Sequence, residues 1–220
     1  MKKLFSLIGL LLSFGALFAQ AGCPPFWNDI LQFRKADSAL RPEEQSILLV
    51  GSSSFTNWKD VADYFPGYKI INRGFGGSSL PDVIRYAYDV ILPYNPKQVL
   101  IYCGENDLAS SDTVKAAHVV ARFKTLYGMI RQNLPQTVIH FVSLKPSPSR
   151  RHLMAEMKKV NSAIKGFLAG EKKAGFIDVY SAMLDKTGNA MEDIFLADKL
   201  HMKPNGYVIW QRVIRPYLMK

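Results

Sequence analysis

The sequence contains few cysteines, no long block of one charge and no internal repeat. Its only cysteines are Cys23 and Cys103, so a disulfide framework is not indicated. Basic residues give a formal net charge of +10 but form only short runs, which indicates a solvated basic surface and no specific nucleic-acid partner. With no low-complexity linker and 48% hydrophobic content, the 220 residues predict one globular domain with a sizeable core.

The first 21 residues differ from the rest of the chain. Two lysines precede an apolar run over residues 4–18, and Ala-Gln-Ala follows it at residues 19–21. This order is typical of a secretory signal peptide, and the run is short for a membrane span. We therefore expect residues 1–21 to be a signal peptide and residues 22–220 to be exported to the periplasm or the extracellular space. Cys23 is a candidate for a lipid anchor, the one membrane contact expected, although Gln20 stands where a lipoprotein signal carries leucine.

Apolar runs alternate with segments of helix length from residue 47 onward. Five runs have the length and composition of buried strands: residues 47–50, 68–71, 98–103, 137–142 and 175–179. Five segments predict helices: residues 57–65, 81–92, 113–133, 149–169 and 204–218. This alternation predicts an α/β protein with a parallel sheet covered on both faces. Residues 22–45 predict an amphipathic helical extension ahead of the sheet.

Residues that carry chemistry collect where the predicted strands end. The first strand is followed by Gly51 and three serines, and the second by a glycine-rich segment over residues 72–79. The third is followed by Gly104-Glu105-Asn106-Asp107, and Asp198-Lys199-Leu200-His201 comes after the fifth. In a parallel sheet these ends meet at one edge, where ligand crevices form. The sequence therefore predicts a site at this edge, with a serine as the nucleophile.

In this order, the four segments resemble the conserved blocks of the SGNH, or GDSL-like, hydrolase superfamily. Gly51-Ser52-Ser53-Ser54 resembles the nucleophile block, and the resemblance extends over residues 47–218. It implies a three-layer α/β/α sandwich, flavodoxin-like, with a five-stranded parallel sheet of strand order 2-1-3-4-5. It also implies a serine esterase that forms an acyl-enzyme intermediate and uses neither a cofactor nor a metal.

The resemblance assigns a role to each site residue. Ser53 is the nucleophile, His201 its base, and Asp198 the carboxylate that orients the imidazole. The backbone N–H groups of Ser53 and Gly77 and the side-chain amide of Asn106 form the oxyanion hole. Of four histidines, only His201 lies in a predicted loop, and it has a carboxylate three residues before it.

One position departs from the family pattern. The usual Gly-Asp-Ser is Gly-Ser-Ser here, so Ser52 stands in the acidic position. Aligning the glycine assigns the nucleophile to Ser53, but the hydroxyls of Ser52 and Ser54 are also chemically able to attack an ester. Loss of the acidic side chain need not abolish activity, because that residue is not the carboxylate of the triad.

The resemblance implies that the substrate is a small acyl ester. The short spans between blocks leave no obvious lid, which favours short acyl groups over long chains. Trp58, Arg73, Phe75 and Lys145 are candidate pocket residues. An exported enzyme of this kind fits the removal of O-acetyl groups from carbohydrates, an expectation from family analogy. The sequence does not indicate an oligomeric state.

Other interpretations remain open at this point. Asp198 and His201 could serve only to cap the last helix. The hydroxyl-rich loop after the first strand could bind the phosphate of a flavin nucleotide, although phosphate binding gives no reason for Asp198 and His201. A carbohydrate-binding protein or surface lipoprotein could keep the fold without turnover. A zinc hydrolase and an α/β-hydrolase are disfavoured, because the chain lacks His-x-x-x-His and Gly-x-Ser-x-Gly.

Overall fold

A computed structural model describes residues 23–220. The predicted signal peptide, residues 1–21, lies outside the described residues. Over the described range, no helix combines the length and the apolar character needed to cross a membrane.

Five strands form a parallel sheet at the centre of the fold. They are β1 (Ile47–Gly51), β2 (Ile70–Gly74), β3 (Gln98–Tyr102), β4 (Val138–Val142) and β5 (Ala174–Ile177). Their order is β2-β1-β3-β4-β5 and every pairing is parallel, which confirms the predicted topology. β1 and β3 are buried along their whole length, because neighbouring strands pair with both of their sides and helices cover both faces.

Within residues 23–220, ten α-helices connect or cover the strands. They are α1 (Trp27–Ala39), α2 (Ser53–Thr56), α3 (Val61–Tyr64), α4 (Leu80–Arg85), α5 (Ala87–Val90), α6 (Glu105–Ala109), α7 (Ala116–Asn133), α8 (Met154–Ala169), α9 (Val179–Ala182) and α10 (Pro204–Ile214). Short 3-10 helices occupy Leu92–Tyr94, Pro148–Leu153 and Arg215–Tyr217. The helix predicted over residues 81–92 is divided at Tyr86 into α4 and α5.

The prediction was wrong at the end of β1, where a helix was expected over residues 57–65. Instead α2 begins at Ser53, directly after the strand, and α3 follows separately. The carbonyl of Ser52 accepts the N–H groups of Phe55 and Thr56, which starts the helix at once. Serines favour caps and turns over helix interiors, so composition alone assigned them to a loop.

Two hydrophobic clusters lie on opposite faces of the sheet, which confirms the three layers. Leu48 and Val50 of β1 belong to the cluster covered by α1, α4, α5, α7 and α8. Ile47 and Leu49 belong to the cluster covered by α2, α3 and α10. Side chains alternate across a strand, so one strand contributes to both clusters.

Candidate active site

Three serines follow β1, and one of them is partly exposed to solvent. Gly51 has a φ of 137° and lies so close to Tyr102 that a Cβ would overlap the Tyr102 carbonyl oxygen. The chain then turns sharply into α2. Ser52 and Ser54 are only 6% and 3% exposed, whereas Ser53, the first residue of α2, is half-buried. Ser53 is therefore the serine of this group best placed to meet a ligand.

Asp198 and His201 are joined by hydrogen bonds within one loop. Nδ1 of His201 lies 2.6 Å from Oδ2 of Asp198, and Oδ1 accepts the backbone N–H groups of His201 and Leu200, each at 2.9 Å. These backbone bonds, followed by the bond from the His201 ring, lower the pKa of Asp198 from 3.8 to about 2. An ionised carboxylate only accepts hydrogen bonds, so Nδ1 of His201 carries a proton, and in the neutral form of the ring Nε2 is the acceptor.

Asp198 does not cap the last helix. Lys203 is the N-cap of α10, without a side-chain capping bond, and Pro204 is its first residue. Two backbone bonds close the loop that holds His201: Leu196 N–H to the His201 carbonyl at 2.8 Å, and Lys199 N–H to the Leu196 carbonyl at 2.9 Å. The structure therefore contradicts the interpretation that the pair serves only as a helix cap.

Packing of α10 on α2 connects the histidine loop with the serine. The hydroxyl of Tyr207, one turn into α10, donates to the Ser54 carbonyl at 2.9 Å. Trp210 packs against Phe55 with their ring centroids 5.9 Å apart. The start of α10, just after His201, thus lies beside the start of α2.

The glycine-rich segment runs alongside Ser53. A Cβ at Gly76 would lie 3.9 Å from the Cβ of Ser53, and Gly77 has a φ of 87°, a region that glycine adopts readily. The N–H of Phe75 donates to the Gly51 carbonyl at 2.9 Å, which holds the segment against the end of β1. The N–H groups of Ser53 and Gly77 have no acceptor within residues 23–220, so both are available to a ligand.

Asn106 lies beside the same serines, at the start of α6. Its amide nitrogen is 2.8 Å from the Ser52 hydroxyl and 3.0 Å from the Ser78 carbonyl. Its amide oxygen accepts from Nη2 of Arg150 at 2.6 Å. Ser52, Asn106 and the glycine-rich segment therefore come together, and one N–H of Asn106 is directed at the Ser52 hydroxyl.

A cluster of buried charges adjoins Asn106, and the sequence did not predict it. Glu105 accepts from Lys145 at 3.3 and 3.1 Å, from Arg150 at 3.1 Å and from the Tyr102 hydroxyl. Burial raises the pKa of Glu105, but attraction to Lys145 and Arg150 outweighs burial and brings the pKa below its ordinary value. Burial lowers the pKa of Lys145, and Glu105 opposes that shift. The sequence signal was only the pair of arginines that follows Pro-Ser-Pro-Ser.

The four candidate pocket residues are placed differently from the prediction. Trp58 and Phe75 are fully buried in the two clusters, so neither ring offers a surface to a substrate. Arg73 forms an ion pair with Asp37 of α1. Lys145 is 1% exposed and is bound within the charge cluster. Each of these four side chains has a chemistry that suits ligand binding, but each one packs in the core or forms an ion pair within the protein.

No group of three or more His, Cys, Asp or Glu side chains is arranged to hold a metal ion among residues 23–220. Cys103 is buried, and burial raises the pKa of its thiol well above the ordinary value. Cys23 is exposed.

Many solved structures share this fold, including the following three. A protein from Streptococcus pneumoniae, provisionally described as a platelet activating factor, is 18% identical with a TM-score of 0.76, and the match covers 87% of this chain and 92% of the other. A GDSL-like lipase from Bacteroides thetaiotaomicron is 19% identical, with a TM-score of 0.71 and coverage of 86% and 96%. A catalytic mutant of an acetylxylan esterase from Geobacillus stearothermophilus is 14% identical, with a TM-score of 0.64 and coverage of 81% and 96%.

Similarity at the level of sequence is found with a family and not with single proteins. No curated protein matches this chain. The profile of the GDSL-like lipase/acylhydrolase family matches residues 44–209, which include all four blocks and all five strands. The resemblance predicted from the four blocks is thereby confirmed, and the chain belongs to the GDSL-like lipase/acylhydrolase family.

Proposed function

We propose that this protein is a serine esterase that removes short acyl groups, above all O-acetyl groups from carbohydrates. The observation that carries the proposal is the 2.6 Å hydrogen bond between Asp198 and His201, in the loop that leads into α10, which packs on α2 where the half-buried Ser53 lies. Neither a helix cap nor a phosphate-binding loop needs that bond. It holds the imidazole in the tautomer that a general base requires.

The proposed reaction has two steps. Nε2 of His201 takes the proton of the Ser53 hydroxyl as Oγ attacks the ester carbonyl, and Asp198 stabilises the imidazolium that forms. The imidazolium then gives its proton to the departing alcohol, which leaves an acyl group on Ser53. A water molecule, deprotonated by His201, attacks this acyl-enzyme, and the imidazolium returns the proton to Oγ of Ser53 as the bond to the acyl group breaks and the carboxylic acid is released.

Three N–H donors would stabilise the oxyanion in both steps. Two are the backbone groups of Ser53 and Gly77, which have no acceptor within residues 23–220. The third is the amide of Asn106, whose N–H would turn from the Ser52 hydroxyl to the substrate oxygen. Removing one such donor typically costs about 2.7–4 kcal/mol of transition-state stabilisation.

The substrate class rests on similarity and on the expected export. Catalytic mutants of the acetylxylan esterase replace a serine, a histidine and an aspartate three positions before the histidine. Asp198 and His201 have the same spacing. Removal of the signal peptide, residues 1–21, would release the mature chain outside the cytoplasm, where acetylated glycans occur, with Cys23 as a candidate lipid attachment point.

Hydrolysis of p-nitrophenyl acetate by the purified protein and its serine variants tests this proposal. Ser53→Ala should lower kcat by about a thousandfold or more while the melting temperature stays near that of the wild type. Ser52→Ala should retain most activity. The opposite result, with activity lost in Ser52→Ala and kept in Ser53→Ala, would make Ser52 the nucleophile.

A substrate panel tests the acyl group and the alcohol separately. Acetate release from p-nitrophenyl acetate should exceed release of longer acids from p-nitrophenyl butyrate and octanoate, and acetylated xylooligosaccharides should release acetate faster than p-nitrophenyl acetate does. If no ester is hydrolysed but acetylated glycans are bound, the protein is a binding protein with the same fold. A preference for octanoate would contradict the short-chain proposal.

A further inference from the structure

Among residues 23–220, Arg150 is the one charged side chain that bonds both to Asn106 and to Glu105 of the buried charge cluster. Its Nη2 donates to the amide oxygen of Asn106 at 2.6 Å, and its Nη1 donates to Glu105 at 3.1 Å. Its side chain is 15% exposed. Nothing in the proposed reaction uses this arginine directly.

We infer that Arg150 is a positioning residue, which holds and polarises the Asn106 amide as an oxyanion donor. This inference rests on the proposed esterase function and extends it to a residue outside the triad and the oxyanion hole. Arg150 acts through Asn106 and touches no reacting atom.

Orientation is the first effect of this contact. An arginine only donates hydrogen bonds, so the atom of Asn106 that faces it must be the amide oxygen. The amide nitrogen is then directed toward the Ser78 carbonyl and the Ser52 hydroxyl, at the end of β1. Without the guanidinium, the amide oxygen loses this partner, and the amide is held only through its nitrogen.

Polarisation is the second effect. A charged donor on the amide oxygen draws electron density from the nitrogen, which makes the N–H groups stronger donors. The contact is largely shielded from water, so it is screened less than a surface contact would be. The amide thus becomes a better donor to a negatively charged oxygen.

The charge cluster keeps the guanidinium in place. The Glu105 carboxylate accepts hydrogen bonds from Lys145 and the Tyr102 hydroxyl as well as from Arg150. These bonds from several directions hold the carboxylate in one position. One arm of the guanidinium is bound by this carboxylate and the other reaches Asn106. A lysine has no planar fork and cannot reproduce both bonds.

The segment that carries Arg150 also contacts the histidine loop. Ser149, the preceding residue, donates its N–H to the Lys199 carbonyl at 3.1 Å. Lys199 lies between Asp198 and His201, with a φ of 56°. The 3-10 helix Pro148–Leu153 therefore braces both the proposed oxyanion donor and the proposed base.

A comparison of Arg150→Ala with Arg151→Ala tests the inference. The two arginines are neighbours of equal charge, but Arg151 is exposed and forms a long ion pair with Glu192, at 4.0 Å. Arg151 is therefore the matched control. On p-nitrophenyl acetate, Arg150→Ala should lower kcat about tenfold or more with little change in KM, because the Asn106 amide is then less firmly held and less polarised. Arg151→Ala should match the wild type, and Arg150→Lys should recover little of the loss.

A second measurement does not depend on turnover. In ¹⁵N-labelled protein, the side-chain NH2 signals of Asn106, identified by their loss in Asn106→Ala, should shift and exchange faster with water in Arg150→Ala and Arg150→Lys but not in Arg151→Ala.

If the wild type hydrolyses no ester, the proposed function fails, while these signals still decide whether Arg150 holds the amide. Should Arg150→Ala melt far below the wild type, Arg150→Lys carries the comparison. Unchanged kcat or unchanged Asn106 signals in a folded Arg150 variant would overturn the inference.

Discussion

Ser52 occupies the position of the acidic residue in the family's usual Gly-Asp-Ser pattern. In this protein its hydroxyl accepts the Asn106 amide at 2.8 Å, a bond that a carboxylate could also accept. A neutral hydroxyl is the weaker acceptor, so a substrate oxygen competes for the amide more easily. The replacement is therefore compatible with an oxyanion hole that includes Asn106.

Asp198→Asn tests the role of the carboxylate at the scale of one residue. The amide can no longer provide an ionised acceptor for Nδ1 of His201, so the productive tautomer is lost and kcat should fall by up to about 10⁴-fold. Steady-state hydrolysis of p-nitrophenyl acetate measures this effect. Asp193→Asn, in the same segment between α9 and α10, is the control and should leave kcat unchanged. Similar kcat values for wild type and Asp198→Asn would exclude Asp198 from the triad.

The N-terminal helix α1 lies outside the segment that the family profile matches, yet it supports the site. The ring of Phe26, just before α1, would lie 3.7 Å from a Cβ at Gly77 and packs on Phe75 with centroids 5.4 Å apart. Phe26 has a φ of 65°, which is unusual for a bulky residue and persists only where neighbours hold it. The Tyr86 hydroxyl donates to the Pro25 carbonyl at 2.7 Å and secures this segment.

Phe26→Ala should therefore affect both stability and activity. We expect a loss of about 1–2 kcal/mol in the free energy of unfolding, since the ring is half-buried, and a lower kcat because Gly77 loses its support. Urea denaturation and ester hydrolysis measure the two effects. Leu31→Ala is the control on the exposed side of α1, and its change should stay within about 0.5 kcal/mol. A stable and fully active Phe26→Ala would show that α1 does not support the site.

His140 connects the stability of the whole molecule to pH. It lies on β4, 9% exposed, and Nδ1 is 3.0 Å from the side-chain nitrogen of Gln98, which also donates to the Tyr217 carbonyl at 2.7 Å. Nδ1 must accept here, so the neutral ring fits this site. Burial lowers the pKa of His140 from 6.5 to about 4.

Acid should destabilise the fold through this ring. The unfolded chain binds a proton at His140 below pH 6.5 and the folded chain only near pH 4, so stability is lost as the pH falls between these values, by about 3 kcal/mol at most. Melting temperatures of wild type and His140→Gln from pH 7 to pH 4 measure the loss, and the variant should show the flatter profile. His152→Gln, at an exposed position of the 3-10 helix Pro148–Leu153, should behave as the wild type. Identical slopes for wild type and His140→Gln would contradict the prediction.

Much of the architecture could be predicted from order along the chain. Apolar runs of strand length alternating with helix-length segments indicate parallel strands with crossovers, and the four blocks indicated which strand ends carry chemistry. The boundaries were less predictable. β2 continues through Asn72 and Arg73 because both pair with β1, a contact that no local pattern reveals.

The sequence by itself determined the fold class, the strand order through the family resemblance, and the pairing of Asp198 with His201, because these depend on local patterns and a three-residue spacing. Only the tertiary structure decided that Ser53 is the more exposed serine, that Trp58 and Phe75 are core, and that Arg150 reaches Asn106 and Glu105, 44 and 45 residues away. Burial and ion pairing arise when distant segments exclude water from one another. Their outcome is therefore set by packing between elements and not by the residues next to them in the chain.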